Sequence, residues 1–408
     1  MTEGSKRGLS RRRRRQFTGL TIVCLGLALS GCETFRFYKQ AIGGESQILA
    51  HRKPIQKLLT DPQTSPDLKE KFNLVLQLRN FAEKDLRLPT DDQYMRYVDL
   101  HRPYVVWNVH AAPEFTLQPT TWWYPFVGSL KYRGYFSERD ALRYAGKLEK
   151  KGLEVYVEGV EAYSTLGWFK DPLLNTFIAD PAPELAELLF HELAHQRVFI
   201  SGDTDFNEAF ATTVGEEGVR RWLQAKGDSV TYQKYAAGLQ RNEQFVQLVM
   251  NARQQLKSLY GEKSSADCPD PARKRTPEEA ARLRQQKELI ITQLRERYAK
   301  LKAEWGGLTS YDHWFAKSLN NAQLNTVAAY YDLVPGFRAL LQQQGGDLEK
   351  FYQAVRGLGK FKKEERHQKL KPASEASLRR AGSCGPQSGF KAQLRLSPEL
   401  AIAVLRPL

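Results

Sequence analysis

Hydrophobic residues recur at helical spacing along most of the chain. Segments 231–260 and 277–305 carry apolar stripes between charged faces, a pattern that predicts a long helical hairpin. Two or three shorter helices are expected over 38–87, with a break at Pro62. Residues 183–200 are apolar nearly all round, which is typical of a buried helix. Proline at the start of this helix and Ser-Gly-Asp after it mark its ends.

A different periodicity governs residues 104–163. Side chains over 104–110 alternate between apolar and polar as they do in a half-buried strand, and 128–135 and 154–163 are further strand candidates. A helix is expected at 137–151, between the last two. The sequence therefore predicts an α+β fold that is mostly helical. A small sheet precedes the buried helix, a second helix pairs with that helix, and the long hairpin follows.

The buried helix carries the most informative motif, His191-Glu192-Leu193-Ala194-His195. Two histidines four residues apart lie on one face of a helix and can hold one metal ion together. Imidazoles and a carboxylate are costly to bury unless they are paired, and a metal ion would pair them. The alternative is a hydrogen-bonded pair of core histidines.

A third metal ligand is expected at Glu208, in the helical run that extends to Lys226. Twelve residues separate His195 from Glu208, enough for a short loop and an antiparallel helix. Glu208 has an alternative role as an ordinary first-turn carboxylate near the helix dipole. Glu216 and Glu217 are fallback ligands or partners of a histidine N–H. Two imidazoles, one carboxylate and an open position form the ligand set of a catalytic zinc site.

The residues around Glu208 resemble those of known zinc peptidases. Asn207-Glu208-Ala209-Phe210-Ala211 is similar to Asn-Glu-Gly-Phe-Ala in neutral zinc aminopeptidases and to Asn-Glu-Ala in thermolysin-like enzymes. Both are gluzincins, in which this Glu binds zinc, but they place it further along the chain. Residues 38–358 more closely resemble a bacterial family of predicted zinc-dependent aminopeptidases, many of them lipoproteins. The matching segments, besides the metal motif, are 132–136, 162–169, 171–172, 319–322 and 334–337.

The resemblance implies a zinc metallopeptidase with Zn²⁺ as cofactor and a peptide as substrate. Glu192 would take a proton from the attacking water and pass it to the leaving amine. Related aminopeptidases stabilise the oxyanion with a tyrosine from a later helix. Tyr330 is preferred for this role here, with Tyr331 and His313 as alternatives.

An aminopeptidase also needs an acidic group that holds the amine of its substrate. Glu158, Glu161 and Asp171 lie near the expected edge strand at 154–163, and the sequence does not choose among them. In gluzincins such a strand pairs with the extended substrate, so this strand and 164–167 are candidates for the substrate rail. His110 either lines the cleft or packs in the core.

The N-terminus resembles a bacterial lipoprotein signal. Lys6, Arg7 and the run 11–15 are basic, residues 17–28 are apolar but too short to span a bilayer, and Leu29-Ser30-Gly31-Cys32 resembles a lipobox. We expect cleavage before Cys32, which would carry lipid and anchor the protein at the periplasmic face of a bacterial membrane. Glu33 is compatible with the outer membrane. The run 14–17 also resembles a twin-arginine export signal, the alternative to an ordinary basic leader.

Cysteine usage agrees with export. Cys24 leaves with the signal, and Cys268 and Cys384 form an even pair in an oxidising compartment. A disulfide between them is predicted, and two unpaired thiols are the alternative.

Charge adds little about partners. The chain carries a net charge of +15, which falls to +9 without residues 1–31, because these contain seven Lys or Arg and one Glu. No segment resembles a nucleic-acid module, so nucleic acid is not expected as a partner, and no protein partner is indicated. Anionic lipid fits a basic surface better. The expected organisation is a signal peptide at 1–31, one peptidase domain at 32–360 containing the hairpin at 232–306, and a basic, partly disordered tail at 361–408.

Three functions fit these features. The first is an aminopeptidase that trims peptides in the periplasm. The second is a zinc endopeptidase acting on a protein or a cell-wall peptide. The third is a non-catalytic docking lipoprotein with a structural or decayed metal site. Glu192 argues against the third, because a purely structural site has no use for a carboxylate beside its ligands.

Overall fold

The computed structural model describes residues 33–34, 36–124, 128–162, 170–262 and 275–371. Helices form most of this part of the chain, and the strands are short. The predicted α+β, mostly helical class is therefore confirmed. Cys32, Cys268, Cys384 and residues 164–167 lie outside the described residues, so the lipid anchor, the disulfide and that part of the substrate rail stay predictions.

The contacts divide the chain into two units between His51 and Arg52. In the first unit, helix α1 covers residues 36–50. The second unit begins with strand β1 (Lys53–Pro54), helix α2 (Ile55–Thr60) and helix α3 (Pro66–Lys84). Ser65 caps α3 by accepting a hydrogen bond from the Leu68 N–H, and Pro66 fits the first helical position, where no N–H is needed. The break expected at Pro62 thus falls between α2 and α3.

The main sheet has strand β3 (Val106–Pro113) at its centre. Strand β6 (Arg133–Tyr135) and strand β7 (Leu153–Val160) pair with it on either side, both antiparallel, with Asn108 opposite Gly134 and Glu158. Helix α4 (Glu138–Glu149) connects β6 to β7. Its Ser137 cap accepts a hydrogen bond from the Asp140 N–H. Within the described residues β7 pairs with β3 alone, so its other edge is free of a strand partner.

One predicted strand is divided in the structure. Residues 128–135 form strand β5 (Gly128–Leu130), which pairs with strand β4 (Trp122–Tyr124), and then β6 in the main sheet. Gly128 has φ +84°, and a Cβ there would lie 2.8 Å from the Gly202 nitrogen. The chain therefore turns against a later loop before it joins the main sheet, a contact that local alternation does not encode. Two further strands, β2 (Arg96–Val98) and β8 (Leu173–Leu174), form a small sheet with β1.

Two antiparallel helices follow the sheets, α5 (Ala182–Arg197) and α6 (Thr204–Lys226). Asp203 caps α6, accepting a hydrogen bond from the Phe206 N–H, and Gly227 ends it in the left-handed conformation at φ +66°. The helices approach closely at Gly218, where a Cβ would lie 2.6 Å from Cδ2 of Phe190. Both helices are buried along most of their length.

The remaining helices complete the second unit. The predicted hairpin is present as α7 (Ser229–Tyr260) and α8 (Pro277–Glu304). Helix α10 (Asn321–Tyr331) carries Ala322 against Ala112 and Tyr156 of the main sheet, and it also contacts α6 and α7. No helix among the described residues combines the length and apolar character needed to cross a bilayer. The other helices are α9 (Asp312–Ala316), α11 (Val334–Gln343), α12 (Leu348–Leu358) and α13 (Lys363–Leu370).

Candidate metal centre

His191 and His195 lie side by side on the buried face of α5. Their Nε2 atoms are 3.2 Å apart, and their rings are nearly perpendicular, at 84°. Both side chains are buried. The four-residue spacing places the two imidazoles on one face, and the apolar surroundings of α5 remove them from bulk water. The helix therefore aims two nitrogen donors at one point.

Glu208 reaches the same point from α6. One of its carboxylate oxygens, Oε2, lies 3.3 Å from Nε2 of His191 and 3.6 Å from Nε2 of His195. The preceding residue, Asn207, fixes the loop between the helices: its Oδ1 accepts a hydrogen bond from the Ile200 N–H and its Nδ2 donates to the Ile200 oxygen, both at 2.8 Å. This clamp closes the short connection and brings Glu208 back over the histidines.

The donor geometry fits a tetrahedral metal site. Ligand atoms about 2.0–2.1 Å from a zinc ion lie about 3.3–3.4 Å from one another. The three separations between Glu208, His191 and His195 are 3.2, 3.3 and 3.6 Å. Among the described residues, two groups of three potential metal ligands have their ligand atoms within 4.8 Å of one another. One group is His191, His195 and Glu208, and the other is Asp203, Asp205 and His367. The first group is compatible with a metal ion.

The second set does not suit a cation. Asp203 is held by His367 at 2.9 Å and lies within 3.5 Å of Lys363 and Arg366, while Asp205 pairs with Lys131 at 2.5 Å. Lysine and arginine already compensate both carboxylates, so a metal would have to displace a protein cation. This cluster instead ties α13 to the start of α6.

The two glutamates at the centre, Glu208 and Glu192, differ in their pKa values. Burial by itself would raise the pKa of Glu208, but the charge of His195 and hydrogen bonds from both imidazoles lower it to about 2. Burial raises the pKa of Glu192 to about 7, opposed by the charge of His195 and reinforced by Glu208 and Asp171. Glu208 is therefore an anionic ligand at neutral pH, whereas Glu192 lies near the proton affinity that suits a general base.

Two tyrosines border the centre. The ring of Tyr330, on α10, lies 6.5 Å from the ring of His191. Burial and the charges of Glu208 and Glu192 raise the pKa of both Tyr330 and Tyr132 well above the usual value. Both phenols are therefore protonated hydrogen-bond donors at neutral pH. Tyr132 lies in a segment that matches the family, but no catalytic role was predicted for it, because nothing local in the sequence distinguishes it from a core aromatic.

The alternative oxyanion donors and the fallback metal ligands interact with other residues. The Tyr331 hydroxyl accepts a hydrogen bond from Nδ2 of Asn242 at 3.0 Å. His313 owes its lowered pKa to burial and to the charge of Lys317, not to the carboxylates of the centre. The fallback ligands form ion pairs instead: Glu216 with Arg338 at 2.8 Å, and Glu217 with Arg220 and Arg221, each at 2.6 Å.

Glu158, one of the three candidates for holding an amine, lies close to the tyrosines that border the centre. It lies on β7, and its Oε1 is 2.8 Å from Nε2 of His110 on the neighbouring strand. Its charge acts on Tyr132 and Tyr330, which places it on the side of the sheet that faces the centre. Its side chain is 20% exposed, whereas Asp171 is buried. His110 thus orients Glu158 and does not simply fill the core.

A buried pair of helices presents two imidazoles and one carboxylate, with a second carboxylate beside them, and this donor set is compatible with a metal ion. The model of the family described as "Putative aminopeptidase" matches residues 36–370, and the chain belongs to this family. No curated protein and no solved structure matches the chain. The family supports peptidase activity.

Proposed function

We propose that this protein is a zinc-dependent aminopeptidase. The observation that carries the proposal is the convergence of His191, His195 and Glu208 from α5 and α6, with Glu192 adjacent. Imidazole nitrogen and carboxylate oxygen are ligands that suit zinc, and three protein ligands leave a position for substrate chemistry. Membership in the aminopeptidase family supports the reaction class.

The bound ion would supply Lewis-acid activation of water and of the scissile carbonyl. Glu192 removes the proton from the attacking water at a carboxylate oxygen and delivers it to the nitrogen of the leaving amine. The Tyr330 hydroxyl donates a hydrogen bond to the oxygen that becomes negative, with Tyr132 as a second donor on the same side. Both tyrosines stay protonated because burial and nearby carboxylates oppose their ionisation.

The substrate amine is held by Glu158 in this proposal. The edge of β7 that has no strand partner among the described residues binds an extended peptide through backbone hydrogen bonds. The negative charge of Glu158 lies at the end of this bound peptide and holds its amine. This favours an aminopeptidase over an endopeptidase, since an endopeptidase groove would continue past the amine. We further propose that the enzyme is exported and anchored through lipid on Cys32 to the periplasmic face of the outer membrane, supported by the signal sequence.

Metal content and activity of matched variants test the centre. We expect the purified chain to hold about one Zn²⁺. His191→Ala is expected to lose the metal, whereas Glu192→Gln keeps the metal and loses about 10²–10⁴-fold in kcat. His101→Asn, on an exposed loop, is the control and retains both. A chain without stoichiometric metal after incubation with zinc would contradict the proposal.

A blocked N-terminus tests the role of Glu158. N-acetylation of a peptide substrate is expected to lower kcat/KM by about 10–100-fold, because a charge-assisted hydrogen bond is lost. Glu158→Gln should reduce the difference between the free and the acetylated peptide, whereas Glu161→Gln should preserve it. Equal cleavage of both peptides by the wild type would favour an endopeptidase.

A further inference from the structure

A small pocket opens beside the metal centre. Tyr132 and Tyr330 border both the pocket and the centre, and alanines from β3 and α10 line much of the remaining wall. The walls are chiefly carbon, and the space holds about one or two groups the size of a water molecule. Only a small part of a substrate fits there.

Asn325 presents a donor to this pocket. It lies on α10, is 9% exposed and lines the cavity. Its Oδ1 accepts a hydrogen bond from Nη1 of Arg253. A guanidinium only donates, so this contact fixes which end of the amide is oxygen and leaves Nδ2 on the other side. That nitrogen is buried and has no hydrogen-bond partner within the described part of the chain.

Thr204 contributes a second polar atom from another helix. It is the first residue of α6, is 6% exposed and lines the same pocket. Its Oγ1 is buried and, among the described residues, has no partner. The end of α6 does not need this hydroxyl, because Asp203 already caps the helix.

Two buried polar atoms without partners are costly in a pocket with mostly carbon walls. A buried polar atom that is left unpaired loses its hydrogen bond to water without replacement, and native structures keep few such atoms. Nδ2 of Asn325 donates and Oγ1 of Thr204 can donate. Arg253 lies behind Asn325 and adds positive charge to this side of the pocket, whereas Lys131, which also lines the pocket, is paired with Asp205. The complementary group is a hydrogen-bond acceptor, an oxygen.

We propose that this pocket is a substrate subsite that binds a small oxygen-bearing group through Nδ2 of Asn325 and Oγ1 of Thr204. The proposal rests on the peptidase function proposed above. Thr204 is one helical turn before Glu208, about 6 Å along α6, so the group belongs to a residue next to the scissile bond or one further on. A side-chain hydroxyl and the terminal carboxylate of a short peptide share the required chemistry.

Binding to a protein that cannot consume its ligand tests the subsite apart from turnover. The metal-loaded full chain carrying Glu192→Gln would be titrated with alanine anilide, serine anilide and alanyl-alanine. The first lacks the extra oxygen group, the second offers a hydroxyl, and the third offers a free carboxylate. At least one of the last two is expected to bind about 10-fold or more tightly than the first, and the tighter one identifies the source of the oxygen.

Asn325→Asp in the same background examines the donor itself. An aspartate keeps an oxygen for Arg253 but replaces the free amide N–H by an acceptor, so the preference for the oxygen-bearing ligand should disappear. Thr204→Val, which is close in shape, should reduce the preference without changing charge. Asn251→Asp, on an exposed face of α7, is the matched control and should leave the preference intact.

The outcomes separate the two proposals. Equal affinity for all three ligands, or a preference that survives Asn325→Asp, would overturn the subsite. The subsite would also fail if none of the ligands bound while the wild type hydrolysed other peptides. If a preference that depends on Asn325 were found in a chain that cleaves no peptide, the subsite would stand and the peptidase proposal would fail.

Discussion

At the scale of single residues, the centre depends on polar groups that the fold has removed from water. His191 and His195 are buried and the Glu208 side chain is only 13% exposed, and Nδ1 of each imidazole lacks a hydrogen-bond partner among the described residues. Such groups are stable only when something compensates them. A cation between Nε2 of each histidine and Oε2 of the glutamate would provide that compensation, and the separations of these atoms leave room for it.

The sequence motif led directly to these three residues, because their type and spacing carry the chemistry. It could not choose among Glu158, Glu161 and Asp171, since that choice depends on which side chain faces the centre. Tyr132 was missed as a donor for a similar reason. Its position near Glu208 and Glu192 depends on packing between elements, because Tyr132 is far from both glutamates in the chain.

Substitution of Tyr330 or Tyr132 should affect catalysis more than substitution of His313, the alternative oxyanion donor. We expect Tyr330→Phe to lower kcat by about 10²–10³-fold with little change in KM, because the oxyanion forms only in the transition state. Tyr132→Phe should have a smaller effect in the same direction. Steady-state kinetics on one peptide would measure both. A loss of activity in His313→Ala equal to that in Tyr330→Phe would contradict the assignment.

Acid should weaken the tie between α6 and α13. Burial by itself would raise the pKa of Asp203, but the hydrogen bond and charge of His367, with Lys363 and Arg366, hold it below the usual range. A lowered folded-state pKa means that ionised Asp203 stabilises the fold above its unfolded pKa of about 3.9. This stabilisation is lost as pH falls through the folded-state pKa.

Asp203→Asn should therefore lower the free energy of unfolding by about 1.5–3 kcal/mol at pH 7, with the deficit shrinking below about pH 4. Asparagine caps helices as well as aspartate does, so the change isolates the ion pairs. Asp228→Asn, at the cap of α7, is the matched control and should cost little. Denaturant unfolding at several pH values provides the measurement. A deficit that does not change in acid would contradict the ion-pair explanation.

At the scale of elements, the helix pair holds the ligands in place. α5 supplies two donors and α6 supplies one, so a shift of one helix against the other by less than an ångström changes both separations between Glu208 and the histidines. The approach of the two helices depends on glycine at position 218, because Phe190 and Leu86 occupy the space that a side chain would need. The packing of α5 against α6 therefore sets the distances between Glu208 and the two histidines.

Gly218→Ala tests that packing. The added methyl would lie 2.6 Å from Phe190 and 2.8 Å from Leu86, so we expect a loss of about 1–3 kcal/mol from overpacking and weaker metal binding. Gly146→Ala in α4 is the matched control. No atom lies within 4 Å of the Cβ position at Gly146, and alanine there should stabilise the helix by about 0.4–1 kcal/mol. Thermal unfolding and zinc titration of both variants would distinguish them.

The hydrophobic pattern predicted the long helices but not the strands of two or three residues. The hairpin helices α7 and α8, and the metal helices α5 and α6, follow from periodicity over many residues and from their caps. Strands of two or three residues, such as β1 and β8, have no room for alternation to show. Their existence is decided by partners distant in sequence, as is the division of 128–135 between two sheets.

At the scale of the whole molecule, metal binding should be coupled to folding, since the ligands come together only when α5 packs on α6. Chelation of the metal is expected to lower Tm by a few degrees, because a ligand at 100 times its Kd adds about 2.7 kcal/mol to stability. His191→Ala should show no shift on chelation. Calorimetry with and without chelator would measure both. The same Tm shift in the variant and the wild type would place the metal elsewhere.

The sequence by itself determined the mostly helical class and indicated His191, Glu192, His195 and Glu208 as candidate site residues, because residue type and spacing along the chain carry that information. Only the tertiary structure put Tyr132 and Tyr330 beside the centre, placed Glu158 near these tyrosines, and brought Asn325 and Thr204 to the lining of one pocket. Those relations join residues that are distant in the chain. The physical reason is that local patterns specify which face of an element is buried, whereas packing between elements decides which buried groups meet.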